Sequence, residues 1–188
     1  MIVKLAFGRD RVAVDLRGLR VRALRSMAPP GSPDPGPIVG AAVDEPLGGA
    51  PLTRLAAGRG SVSLIVPDAT RKAELPKVVP VVLERLWTAG VEPEGTTILI
   101  ACGTHPPAGD TAARSLVGAV PDAVQIIEHD SRDDAMLVPV GELRPGIPLR
   151  LHRAAVECDL LLTVGAVRHH YFAGFGGGPK MVFPGVAG

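Results

Sequence analysis

Residues 61–66 read Ser61-Val62-Ser63-Leu64-Ile65-Val66, and residues 96–101 read Thr96-Thr97-Ile98-Leu99-Ile100-Ala101. Each is a short run rich in β-branched and apolar residues, which predicts a buried strand. Between them, over 75–89, apolar residues recur at helical spacing. Pro76 and Pro80 fall in the first turns, where a missing N–H is tolerated, and Gly90 ends the segment. The alternation continues outward. A helix is expected over 110–117, capped by Asp110 and closed by Gly118. Strands are expected at 124–128 and 160–164, with a shorter one at 147–151. Strands apolar on both faces and separated by helices imply an α/β fold, a Rossmann-like parallel sheet with helices on both faces.

Upstream of residue 61 the pattern differs. Residues 2–7 and 11–16 flank Gly8-Arg9-Asp10 and predict a hairpin, with 21–24 continuing the pairing. Residues 28–37 hold five prolines and read as a loop. Short helical pieces are expected at 38–43 and 52–57. The expected organisation is therefore a small β-rich entry with a Pro-rich loop, 1–37, and an α/β core, 38–188.

Composition excludes several classes. The net charge is +1, with 20 Lys and Arg against 19 Asp and Glu. That gives no electrostatic case for nucleic acid or an acidic membrane surface. Two cysteines, Cys102 and Cys158, make no disulfide framework, and Cys102 reads as a small core residue. No apolar run reaches the length that spans a bilayer, and the N-terminus has no signal-peptide pattern. A cytoplasmic protein is expected. The last residues, Pro184-Gly185-Val186-Ala187-Gly188, follow directly on the richest stretch of the chain, which suggests a domain of something longer.

In an open parallel sheet, ligands bind beyond the carboxyl ends of the strands. Three predicted strands run straight into unusual loops: Pro67-Asp68-Ala69-Thr70-Arg71, Cys102-Gly103-Thr104-His105-Pro106-Pro107, and the stretch from Gly165 to Lys180. All three should open on one edge. Arg71 can fork onto a carboxylate or phosphate, and His105 sits between Thr104 and two prolines that stiffen its loop. His169 and His170 are neighbours, so in an extended segment they point opposite ways and one of them faces the site. His129 and His152 carry no motif and read as structural or exposed. Glu128, Asp130, Asp133 and Asp134 read as a solvated acidic cluster.

The third loop is the most lopsided in composition. His169-His170-Tyr171-Phe172-Ala173-Gly174-Phe175-Gly176-Gly177-Gly178-Pro179-Lys180 holds four glycines, two histidines and a lysine. Of the six aromatics in the chain, Tyr171, Phe172, Phe175 and Phe183 fall after His170. A P-loop from Gly174 would need Gly at 179 and Ser or Thr at 181; the chain has Pro179 and Met181. A dinucleotide fingerprint fails on the same proline.

Asp-x-Thr-Arg at 68–71, Gly-Thr-His at 103–105 and His-x-Phe-Ala-Gly-Phe-x-Gly-Gly-Pro-Lys at 170–180 resemble, in order and spacing, the N-terminal domain of the nickel-pincer lactate racemase family. The resemblance covers most of the chain. It implies a racemase interconverting enantiomers of small 2-hydroxy acids by hydride transfer. It implies a nickel pyridinium bis-thiocarboxylate mononucleotide tethered as a thioamide to Lys180. His105 and His170 match the two acid–base histidines, and Asp68, Thr70 and Arg71 match the loop contacting cofactor and substrate. The family's site lies between two domains; its nickel histidine falls beyond Gly188, so no metal ligand is assigned here. A single domain lacking its partner is expected to be inactive alone. Pro106 stands where the family often has arginine, and Gly176 where it often has serine.

Other readings stay open at this point. They are a racemase or epimerase of a larger 2-hydroxy acid with the same cofactor, a non-catalytic nucleotide- or anion-binding domain, and a metal hydrolase using Asp68, His105 and His170.

Overall fold

The computed structural model describes residues 1–22, 24 and 31–188. The chain divides into two compact units, Met1–Ser32 and Pro33–Gly188.

The first unit is a hairpin of β1 (Ile2–Phe7) and β2 (Asp10–Asp15), antiparallel, turning at Gly8 with φ 61°. The register sets Val3 opposite Val14 and Leu5 opposite Val12, so one face of the ribbon is apolar. The continued pairing expected over 21–24 is not observed at Val21, Arg22 or Leu24; Ala23 lies outside the described residues. Of the expected Pro-rich loop, 28–30 also lie outside them.

The second unit begins with α1 (Gly36–Asp44) and α2 (Leu52–Ala56). The core alternation follows: β3 (Val62–Pro67), α3 (Leu75–Thr88), β4 (Thr96–Ala101), α4 (Asp110–Val117) and β5 (Gln125–Glu128). Then come β6 (Leu137–Arg144), β7 (Ile147–His152), α5 (Arg153–Val156) and β8 (Leu160–Thr163). The chain closes with β9 (Arg168–His170), β10 (Gly174–Gly176) and α6 (Pro179–Val182).

Four strands form one parallel sheet in the order β5-β4-β3-β8. The chain moves outward from β3 through β4 to β5, then returns to add β8 on the other side of β3. Strand order therefore reverses at β3/β8, the switch point where α/β folds place ligands. Asp159 pins this junction: its carboxylate accepts the N–H of Gly60 and of Ser61, each at 2.9 Å, fixing the entry of β3 against that of β8.

Alternation along β3 divides the core. Val62, Leu64 and Val66 face α2, α3 and α4, packing with Val79, Leu83 and Leu86 of α3. Ile65 faces the other way, with Leu99, onto Ala155 of α5 and Met181 of α6. Helices thus cover both faces, as the continuous apolar runs required. Each fully buried aliphatic contributes roughly 1.5–3 kcal/mol. The end of α4 crosses the start of α3 at Gly118, where φ is 86° and a Cβ would lie 2.7 Å from Pro76 Cα, so glycine is required.

Three expectations need correction. Residues 147–151 do form a strand, but β7 pairs antiparallel with β6 outside the main sheet. β6 escaped notice because Pro139 and Gly141 break its alternation, and the register shifts at both 139/141 and 142/144. Asp110 does not cap α4; the cap position is Gly109, and Asp110 lies in the first turn. Residues 165–180 are not one loop but carry the β9–β10 hairpin, with Phe175 opposite His169.

Candidate active site

The loops after β3, β4 and β8 do open on one edge and enclose a cleft of about 670 Å³. Asp68, Thr70, Arg71, His105, His170 and Lys180 all line it. A segment after α6 closes another side. Gly185 accepts the N–H of Gly103 at 2.9 Å, Val186 accepts that of His152 at 2.8 Å, and Gly188 donates to Arg150 at 3.2 Å.

Pro67 ends β3, and the chain turns tightly, with the Arg71 N–H donating to the Asp68 carbonyl at 3.1 Å. The Asp68 carboxylate is fully engaged. Oδ1 accepts the backbone N–H of Thr70 at 3.1 Å and its hydroxyl at 2.6 Å. Oδ2 lies 2.5 Å from His105 Nδ1. Burial opposes ionisation of Asp68, but the hydrogen bonds from His105 and Thr70 outweigh it and hold the carboxyl below its ordinary value. His105 is further placed by its own N–H, which donates to the Cys102 carbonyl at 2.9 Å.

Cys102 is buried, as its reading as a small core residue required. Burial, with the negative charges of Glu128 and Asp68, pushes its thiol up to about 11, so it stays protonated and is a poor nucleophile at neutral pH.

The third wall comes from β9, β10 and α6. His170 Nδ1 accepts the backbone N–H of Phe172 at 3.3 Å and of Ala173 at 3.2 Å. Burial, then the charges of Lys180 and Arg71, hold its imidazole below the ordinary histidine value. His169 stacks against Phe175 across the hairpin, ring centroids 5.1 Å apart. Both histidine residues contribute to the cleft wall, so the alternation separates the two rings without removing His169 from the site. Gly177, at φ 77°, lets the backbone pass where a Cβ would lie 2.9 Å from the Ala166 carbonyl oxygen. That approach delivers Lys180 to the cleft from the first turn of α6. Its ammonium makes no hydrogen bond or ion pair among the described residues.

Several contributors went unread in the sequence. Arg168 and Lys72 also line the cleft, and the Arg168 guanidinium donates to the Lys72 carbonyl at 3.0 Å, tying the first loop to the third. Glu128 is not part of a solvated cluster. Its carboxylate accepts the N–H groups of Ala108 and Gly109 at 2.8 and 2.7 Å and anchors the far end of the His105 loop. A carboxylate at the carboxyl end of a predicted strand was the available signal.

With Arg71, Lys72, Arg168 and Lys180 against one acid whose oxygens are already used, the cleft suits an anion. Among the described residues no three His, Cys, Asp or Glu side chains are grouped to hold a metal ion. Asp68, His105 and His170 therefore do not assemble the centre a metal hydrolase would need. No helix is long and apolar enough to cross a membrane.

Residues 7–188 match the lactate racemase N-terminal domain family. The chain is 33% identical to a lactate racemase of Thermoanaerobacterium thermosaccharolyticum over 98% of its own length and 44% of that protein's. It is 35% identical to a lactate racemase of Lactiplantibacillus plantarum over 77% of its length and 34% of that protein's. Its structure matches that of the lactate racemase apoprotein from T. thermosaccharolyticum with TM-score 0.84 and 29% identity, covering 100% of this chain and 44% of the other. A Thermotoga maritima protein at 24% identity shares the fold, with TM-score 0.62. The chain thus spans less than half the length of these relatives.

Proposed function

We propose that this chain, which belongs to the lactate racemase N-terminal domain family, is the cofactor-tethering and proton-handling part of a 2-hydroxy-acid racemase. The observation that carries this reading is the meeting of Lys180, His105, His170 and Arg71 around one cleft.

A lysine-tethered nickel-pincer nucleotide fits the residues present. The cleft volume lies within the roughly 300–1,000 Å³ usual for small-molecule sites. Lys180 brings an amine without a partner among the described residues, and Arg71, Lys72 and Arg168 suit a phosphate. When bound, the group would supply an electrophilic pyridinium carbon able to take hydride from the substrate. Loss of the α-hydrogen as a proton would place a second charge beside the carboxylate; loss as hydride leaves a neutral ketone.

The chain's own residues do the rest. Arg71 pairs with the substrate carboxylate and orients it. A histidine takes the hydroxyl proton as hydride leaves, and one on the other side returns a proton when hydride comes back to the opposite face. His105 comes from the loop after β4, and His170 from the hairpin after β8. That arrangement suits two enantiomers presenting the hydroxyl from two directions. Because Cys102 and Cys158 are free thiols, we place the protein in the cytoplasm.

The test follows D- and L-lactate by chiral chromatography with cofactor-loaded protein carrying this chain. Lys180→Ala should abolish interconversion, and His105→Ala and His170→Ala should each reduce turnover on the order of 100-fold or more. Undiminished turnover in Lys180→Ala would overturn the reading.

A further inference from the structure

Of the three histidines that line the cleft, His105 and His170 are not equivalent. A neutral imidazole has one nitrogen that donates and one that accepts, and its partners decide which. At neutral pH Asp68 is a carboxylate and can only accept. With Oδ2 at 2.5 Å, His105 must carry its proton on Nδ1. In the neutral ring Nε2 is then a lone pair, on a side chain that is 52% exposed.

His170 is held the other way. Backbone amides can only donate, and those of Phe172 and Ala173 both point at Nδ1. That nitrogen must be the lone pair, so the proton is on Nε2. Nearby cations disfavour a second proton.

We propose that Asp68 and the turn from His170 to Ala173 are positioning groups that set the two histidines in opposite resting states, His105 as proton acceptor through Nε2 and His170 as hydrogen-bond donor through Nε2–H. In the proton-transfer step the O–H bond of a bound hydroxyl breaks, its electron pair stays on oxygen, and the proton joins His105 Nε2. The imidazolium so formed keeps its Nδ1–H on the Asp68 carboxylate, which offsets the new charge. His170 cannot accept a proton in the same way. Its Nε2 is occupied, and moving that proton to Nδ1 would set an N–H against two amide N–H groups. The turn must open before His170 works as a base. Tyr171 and Phe172, at its tip, are 88% and 85% exposed, and opening the turn has to part the Tyr171 ring from those of His170 and Phe172.

The same geometry gives Asp68 and Thr70 a positioning role beside the one that resemblance implies. Asp68 Oδ2 holds His105, while Oδ1 takes the hydroxyl and the N–H of Thr70.

That the hydroxyl belongs to a 2-hydroxy acid rests on the proposed function; the proton positions do not. The test is long-range ¹⁵N–¹H correlation of the histidine rings in this chain near pH 7.5. His105 should show a protonated Nδ1 and an acceptor Nε2, and His170 the reverse. Asp68→Ala should move His105 toward the tautomer mixture of free imidazole and leave His170 unchanged. In His105→Ala, with that hydrogen bond and charge removed, the Asp68 carboxyl should titrate at higher pH. A His105 proton on Nε2 in the unaltered chain overturns the proposal, and needs no variant to fold. So does a His105 tautomer indifferent to Asp68→Ala. Failure of the cofactor-loaded protein carrying this chain to racemise lactate, alongside the expected spectra, would refute the function and leave the positioning intact.

Discussion

Two histidines that the proposed chemistry does not use should control how the protein responds to acid. His129 and His152 are buried, at 0% and 1% exposure, with rings 5.7 Å apart and edge to face. His129 Nε2–H donates to the Ala187 carbonyl at 3.0 Å, and its Nδ1 has no partner among the described residues. His152 Nδ1 accepts the N–H of Ala154 at 3.1 Å. A second proton on His129 would place an N–H with no acceptor in the interior. Burial lowers both imidazoles, and for His152 the neighbouring His129 lowers it further, while Asp130 and Asp133 pull weakly the other way. A folded value below the unfolded one means that the unfolded chain binds more protons. Stability is therefore full above the unfolded histidine value, roughly 6.5, and falls as pH drops from there toward the folded values. Each group can remove at most about 1.4 kcal/mol per pH unit, and with half of each unfolded imidazole already protonated at about pH 6.5 the upper limit for the pair down to about pH 5.5 is roughly 2 kcal/mol. For a chain of this size that limit is a fall in Tm of roughly 4–8 °C. The lowered carboxyl of Asp68 acts only below about pH 4, outside this window. His170 is lowered too and adds slope of the same sign, so the discriminating comparison is His129→Phe. Thermal melts followed by circular dichroism at constant ionic strength should give a shallower pH slope for that variant. A flat Tm from pH 7.5 to 5, or the same slope in His129→Phe, would refute the reasoning.

Gly177→Ala should cost roughly 1–2 kcal/mol for its left-handed backbone alone, with more from the Ala166 contact; a melt within a degree of the unaltered chain would show that the loop relaxes freely. His169→Ala should lower turnover far less than His170→Ala, because the His169 ring lies against Phe175; equal losses in kcat would assign the role to the wrong neighbour. The chain is expected to racemise lactate only when joined to the remaining length its relatives have, since a water-open cleft forfeits both positioning and exclusion; equal rates from the 188 residues alone would contradict that.

The parallel sheet was legible because a strand buried on both faces leaves a run such as SVSLIV that little else produces. The convergence of the three loops followed from that sheet and from the rule that its carboxyl edge binds ligands. What was not legible depended on contacts far apart in sequence. The place of Glu128 at the carboxyl end of its strand hints at a role, but not that its carboxylate anchors residues 108 and 109. His129 and His152 read equally as structural or exposed until Ala187 and each other are seen beside them. β6 was hidden by a proline and a glycine that real bulges accommodate. The tautomers of His105 and His170 depend on hydrogen-bond partners, and residue type alone carries no trace of them.

The central claim is that Lys180 holds the cofactor in this cleft. Intact mass spectrometry of the chain co-expressed with the enzymes that make the nickel-pincer nucleotide tests it most directly. A mass increment equal to the thioamide-linked nickel cofactor is expected, mapped by peptide digestion to Lys180 and absent from Lys180→Ala. An unmodified mass under conditions that load a lactate racemase of the same family, or an increment that survives Lys180→Ala, would contradict it.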